Sequence, residues 1–545
     1  TQALKIFDAV RGGDYHWVAK SHERLAEVYR RRQTFDSARA QARMAIELNR
    51  TLFGEGRALA EALIILATIE REAGQPQRAL SLWREARGIL LSDRATLAQL
   101  RTEDLEGFLE LLFEQAGPDP AGADRALLDE AFMLAQLGQT PAAGRAVTQA
   151  AARLAETDPA VRDAARALQD ALKARQDAQY ELGLEQSKPF QARSSAREAA
   201  LKARLRTAAT DYQQQEERLL ARFPRYGRLV TPNPLNAADV AKLLRRGEAL
   251  LRVLPGDRAT WVFLIKADGA LRAAAIQLPA RQLTAEVQRL RVGVDGGSGE
   301  LPEFDLNLAH TLYQQLLGPL EPALAGIDHL IVVPTGALLS LPPALLVRQP
   351  PAPPGDYRGA AWLVRDMALS LLPSVVSLEQ FRQVAKSSQA RLPFIGFGDP
   401  AFAQKSGAPR SGGVESVVQD CRITAADLSR LPRLPETAGE LRALARTLGA
   451  GQDKVLLGRQ ATVPAVEASN LQNYRILTFA THALLPGELD CLTEPALALS
   501  PQAGARTGEN GLLSASAIAN LKLDAEWVLL SACNTAGAGG GLRGE

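Results

Sequence analysis

Cysteine is scarce. The 545-residue chain carries three, Cys421, Cys491 and Cys533, lying 70 and 42 residues apart with no C-x-x-C, which excludes a disulfide scaffold. The five histidines (His16, His22, His310, His329 and His482) lack H-x-x-x-H spacing, so no ligand pattern for structural zinc is present and no metal is expected. Aromatics are only 5% of the residues; Ala and Leu must fill much of the core, which favours close-packed helices. An excess of one charge is missing too. The 63 Lys and Arg against 61 Asp and Glu leave a net charge of +2, which argues against a nucleic-acid coat protein. The most apolar stretch, 330–347, is broken by Pro334, Gly336, Pro342 and Pro343, so no membrane-spanning helix is expected. No G-x-x-x-x-G-K-[ST] occurs. Gly539-x-Gly541-x-x-Gly544 matches a dinucleotide fingerprint by letters, but five residues separate it from Cys533 and no strand directly precedes it, so it reads as a loop. No cofactor is required.

What is present is globular: 46% hydrophobic and 23% charged residues, in a length suited to several domains. The first ninety residues repeat. Leu25-Ala26 recurs 41 residues later as Leu66-Ala67, as do Ala38 and Ala45 at Ala79 and Ala86. Each unit pairs two helical patterns around a break, Arg32-Gln33-Thr34 in one and Gly74-Gln75-Pro76 in the other. Small residues at such positions let antiparallel helices approach closely, and this period predicts an α-solenoid. The pattern resembles tetratricopeptide repeats in a longer variant. A weaker third unit is placed at Leu127–Leu154, around Gly138-Gln139-Thr140-Pro141.

Residues 158–220 read as long helices. Nine basic residues over 193–228 face four acidic ones, a small excess with the texture of a solvated face rather than a nucleic-acid surface. After Phe223-Pro224 the pattern changes. Leu250–Leu254, Thr260–Lys266 and Leu271–Leu278 read as strands, the last two joined at Ala267-Asp268-Gly269-Ala270, and a helix follows at Ala285–Val292. Short apolar runs then alternate with helices: Leu330–Val333, Phe394–Phe397, Lys454–Leu457, Ile476–Ala480 and Trp527–Leu530. These predict a parallel sheet covered on both faces.

Two of these runs lead into reactive side chains, Thr481-His482-Ala483 and Ser531-Ala532-Cys533-Asn534. Ligands of open α/β sheets sit outside the carboxyl ends of strands. On neighbouring strands, His482 and Cys533 would share one crevice. A thiol of ordinary pKa ~8.5 is mostly protonated at neutral pH; an adjacent imidazole activates it and supplies a proton to a leaving amine. Singly, each residue has a structural reading, a buried small hydrophobe and a satisfied histidine. Their joint placement is what points to chemistry.

At these residues the stretch from Phe223 resembles the CHAT domain, a caspase-like cysteine peptidase domain related to separase and often fused to tetratricopeptide repeats. The matching segments run in order. Leu330–Leu338 with Leu341-Pro342 comes first, and Ser340 falls where many members have His. Leu372-Pro373-Ser374, Gly396-Phe397-Gly398-Asp399-Pro400 and Leu434-Pro435-Glu436-Thr437 follow. Leu457–Thr462, Phe479–Ala483, Glu494–Leu497 and Leu530–Ala536 complete the set. The resemblance implies a catalytic dyad, with His482 as general acid/base and Cys533 as nucleophile. It also implies an oxyanion donor at Ala483, where many members have Gly. Glu488, Asp490 and Glu494 are candidate readers of a basic substrate residue.

The expected fold is α plus α/β. Helical repeats span 1–155, a long helical linker 156–222, and a caspase-like domain with a mostly parallel sheet 223–545. The last is expected to be truncated at its C-terminus, since members continue past the glycine loop. The expected function is a cysteine endopeptidase acting on a protein or peptide substrate, with a regulatory protein bound by the repeats and neither nucleic acid nor membrane as partner. The alternative is a non-catalytic interaction scaffold on an inactive peptidase fold; ester hydrolysis by the same thiolate is a third possibility. The expected compartment is the cytoplasm, although a chain opening at Thr1 leaves a removed signal peptide open.

Overall fold

A computed structural model describes residues 16–53, 56–92, 102–117, 122–137, 194–222, 234–294, 302–351, 355–384, 388–402, 425–484, 495–501, 511–519 and 521–531, with isolated positions between 164 and 185. Two compact units divide the chain, residues 1–141 with 234–382 and residues 142–233 with 383–545. They partition it differently from the segments 1–155, 156–222 and 223–545.

The first unit opens with helical hairpins. Helices α1 (His16–Arg31) and α2 (Phe35–Phe53) form one hairpin, and α3 (Arg57–Glu72) and α4 (Pro76–Ser92) form the next, with the 41-residue offset of the sequence repeat. Ala26, Ala38, Ala45, Ala67, Ala79 and Ala86, which carry that repeat, are all fully buried. The breaks are equivalent as well: Gln33 (φ 57°) and Gly74 (φ 73°) both adopt the left-handed conformation that ends the first helix of each pair. A third hairpin is built from α5 (Glu103–Ala116) and α6 (Arg125–Leu134), the latter capped by the Asp124 side chain. The third unit expected at Leu127–Leu154 is thus displaced: its Leu127–Leu134 stretch is the second helix of this pair, and the break around Gly138–Pro141 lies outside the described residues.

A five-stranded sheet follows in the same unit. Strands β1 (Glu248–Pro255), β2 (Thr260–Lys266), β3 (Leu271–Ile276), β4 (His329–Val333) and β5 (Ala368–Leu371) stand in the order β3-β2-β1-β4-β5. β3-β2-β1 is an antiparallel meander, and β1-β4-β5 is parallel. The β2–β3 turn is the one expected at Ala267–Ala270: Gly269 has φ 85°, and the Asp268 carboxylate accepts from the Ala270 N–H at 2.9 Å. β1 and β2 are buried on both faces.

One face, with Leu250, Leu254, Trp261, Phe263, Ile331 and Val333, shares a continuous core with the hairpins, with α8 (Ala237–Leu243) and with α11 (Val375–Val384). Phe113 and Phe132 each lie 5.7 Å from the Phe263 ring. The Arg252 guanidinium, buried on the same face, donates to Ala135 O at 3.0 Å and Val333 O at 3.3 Å, and burial draws its pKa down to about 10. The opposite face packs on α9 (Ala280–Val292) and α10 (Leu306–Leu316).

In the second unit, α7 (Ser195–Arg222) is the long helix expected there, with Leu201, Tyr212 and Leu219 buried. Within its basic run, Arg197, Lys202 and Arg204 pair with Glu185, Glu198 and Glu181. Four parallel strands, β6 (Leu392–Pro400), β7 (Val455–Gly458), β8 (Tyr474–Ala480) and β12 (Trp527–Leu530), stand in the order β12-β8-β6-β7. The short strands β9 (His482–Leu484), β10 (Ala496–Ala498) and β11 (Leu512–Ser514) form a small antiparallel sheet. The α plus α/β class stands, but the parallel runs are shared between two sheets rather than one. Leu330–Val333 pairs with β1 and β5, not with the strand at Phe394–Phe397. Helix α12 (Pro435–Thr447) covers one face of the four-stranded sheet, with Leu441 and Ala445 against Phe394, and α13 (Val463–Ala468) packs on the other through Val466. Gly396 and Gly398 permit this approach, because a Cβ on either would meet the Leu441 side chain at 3.0 or 2.6 Å. Among the described residues β12 is the edge strand, with Trp527, Val528 and Leu530 exposed. Among the described residues no helix is long and apolar enough to cross a membrane.

Candidate active site

The carboxyl ends of β6, β8 and β12 lie side by side. β8 and β12 are parallel neighbours in a register that pairs Phe479 with Leu530, and the Ser531 N–H continues the ladder by donating to Phe479 O at 2.9 Å. His482 follows β8 by two residues. Cys533 follows Ser531 by two residues and lies outside the described residues, as do Cys421, Cys491, Glu488, Asp490 and Glu494.

Thr481 fixes the turn that presents the imidazole. It is buried, and its hydroxyl donates to Ala498 O across the small sheet. His482 then opens β9 opposite Ala498, and Ala483 pairs with Leu497. The imidazole Nε2 lies 2.8 Å from Pro432 O, and the ring is tilted 43° against Phe402 with centroids 5.7 Å apart. A carbonyl only accepts, so the proton sits on Nε2 and Nδ1 is left as the basic nitrogen.

Pro432 O is itself held in place. The next residue, Arg433, reaches Asp399 Oδ2 at 2.6 Å, and the Asp399 N–H donates to the Thr437 hydroxyl at 2.9 Å. Asp399 sits at a register shift ending β6, with φ 41°, and its Oδ1 is buried without a hydrogen-bond partner among the described residues. A non-glycine residue in this backbone region is costly, and such strain concentrates at functional sites. The Ser531 hydroxyl donates to Glu440 Oε2 at 3.2 Å on α12, closing the β12 side.

The sequence singles out His482 but gives no sign of Pro432 or Arg433. A backbone carbonyl leaves no trace in residue type, and Arg433 resembles any loop cation; only the quoted Gly-Asp-Pro run marked Asp399. Elsewhere, His22 meets Gln41 Oε1 and His310 meets Val347 O, while Ser340 donates to Ala337 O at 2.7 Å. No group of His, Cys, Asp or Glu among the described residues is arranged to hold a metal.

Residues 306–544 match the family model of the CHAT domain, a caspase-like, peptidase-related domain. The match takes in residues of both compact units and leaves the helical hairpins outside it. No curated protein matches the chain.

Proposed function

Starting from the CHAT match, we propose that this chain is a cysteine endopeptidase of the caspase-like class, with His482 and Cys533 as its dyad. The observation that carries this is the parallel β8–β12 pairing, which brings the chain leading to Cys533 alongside the chain leading to His482. With Nε2 donating to Pro432 O, we assign Nδ1 as the nitrogen that serves the thiol. It takes the Cys533 proton, and the thiolate attacks the peptide carbonyl to form the S–C bond. The oxyanion accepts from backbone N–H groups, for which Ala483 is our assignment. Collapse breaks the C–N bond, and the imidazolium protonates the leaving amine. Water, deprotonated by Nδ1, then hydrolyses the thioester and restores the thiol.

The tetratricopeptide-like hairpins, in this proposal, target or regulate the peptidase by binding a partner protein. The test is a proteome-derived peptide library exposed to the full chain. New amino termini should appear with the native protein and fall by at least ~100-fold with Cys533→Ala, the scale of loss expected when the group carrying the chemistry is removed. The same cleavages at undiminished rate in that variant would refute the assignment.

A further inference from the structure

The amino ends of β1 and β4 and the edge strand β5 gather a second set of groups that the dyad does not use. Glu248 opens β1 and His329 opens β4 directly opposite it; Ser370 stands on β5 opposite Ile331, on the same sheet face. His329 Nε2 lies 2.8 Å from Ser370 Oγ, and Nδ1 lies 3.4 Å from Glu248 Oε1. The second carboxylate oxygen is anchored by the Arg245 N–H at 2.7 Å and by the Arg382 guanidinium at 2.6 Å.

Carboxylate, imidazole and hydroxyl thus stand in the order that turns serine into a nucleophile. The Glu248 carboxylate beside Nδ1 favours the proton on that nitrogen, which leaves Nε2 to accept from Oγ–H. Burial pushes the Glu248 carboxyl upward, but the Arg245 N–H and Arg382 outweigh it and hold the group below its ordinary range, so it is ionised at neutral pH. The Glu248 side chain is 9% exposed and that of His329 30%, so the acid is sheltered while the imidazole can be reached.

The edge position supplies an oxyanion donor. Ala368 and Leu372 donate their N–H groups inward, to Asp328 O and Val332 O. Among the described residues β5 is the edge of its sheet, so alternation along a parallel strand turns the Leu369 and Leu371 N–H groups away from β4. The Leu371 N–H adjoins the nucleophile.

We propose that Ser370, His329 and Glu248 form a second nucleophilic centre that accepts acyl groups from small carboxylic esters. Ser370 Oγ bonds to the ester carbonyl carbon as its proton passes to His329 Nε2. The tetrahedral intermediate collapses with loss of the alcohol, which takes that proton. Water, deprotonated at Nε2, releases the acid and regenerates Ser370.

The test treats the full chain with 4-nitrophenyl acetate and, separately, with an alkyl fluorophosphonate, and locates adducts by peptide mass spectrometry. Ser370 should be modified at least ~100-fold faster than the exposed Ser37, and His329→Gln should remove that advantage, in line with the contribution of a general base. Ser370→Ala should lose the adduct. Modification of Ser370 no faster than Ser37 in the native protein overturns the proposal whatever the variants do. So does an adduct confined to Cys533, or an undiminished Ser370 rate in a folded His329→Gln protein.

Discussion

His482 commits one ring nitrogen to Pro432 O, and what holds that carbonyl in place is the Arg433–Asp399 pair one residue away. Orientation of the proposed base therefore depends on a cation whose ion pair is with Asp399 rather than with the imidazole. Arg433→Ala should lower kcat for peptide cleavage about tenfold, roughly 1.4 kcal/mol of transition-state stabilisation, with KM little changed. Arg433→Lys should recover most of it. Steady-state kinetics on both variants checks this; equal loss in Ala and Lys, or a change confined to KM, would remove Arg433 from the orienting chain. None of this was visible from residue types. His482 and Cys533 stood out because both follow apolar strands, whereas a carbonyl that orients a ring belongs to the backbone and can be seen only once the loop before α12 is placed.

Among elements, the hairpins and central strands were the legible part. The fully buried alanines forced a 41-residue period onto the sequence, and doubly buried strands such as β2 wrote themselves as unbroken apolar runs. β5 did not: it is a four-residue edge strand, Ala-Leu-Ser-Leu, exposed at both ends, and three-residue strands such as β9 and β10 are too short to show a period. The division into two sheets was hidden for another reason. Apolar runs report burial, not which neighbour provides the hydrogen bonds. The equivalence of the hairpins yields a stability prediction. Gln33 holds φ 57° where the next repeat has Gly74 at 73°, and a side chain in this region is penalised relative to glycine. Gln33→Gly should stabilise the first unit by about 0.5–1 kcal/mol, measured by urea denaturation. No change, or a loss, would mean that the Gln33 side chain compensates its backbone.

At the scale of the molecule, the hairpins are not an appendage to the first unit, because their core runs without a break into one face of its sheet. Phe263 lies at that junction, fully buried between Phe113, Phe132 and the strands. Phe263→Ala should cost about 3–5 kcal/mol, and helix and sheet signals of the unit should shift together in thermal and chemical melts; separate transitions would show that hairpins and sheet fold independently. A partner bound to the hairpins would accordingly act on a structure that already includes β1–β5. The central claim, that His482 activates Cys533, is tested most directly by alkylating the full chain with iodoacetamide at mildly acidic pH and following all three cysteines by mass spectrometry. The account predicts that Cys533 reacts at least ~10-fold faster than Cys421 and Cys491, as an imidazole-activated thiolate does, and that His482→Gln abolishes the difference. Equal rates at the three cysteines, or a Cys533 advantage that survives the loss of His482, would contradict it.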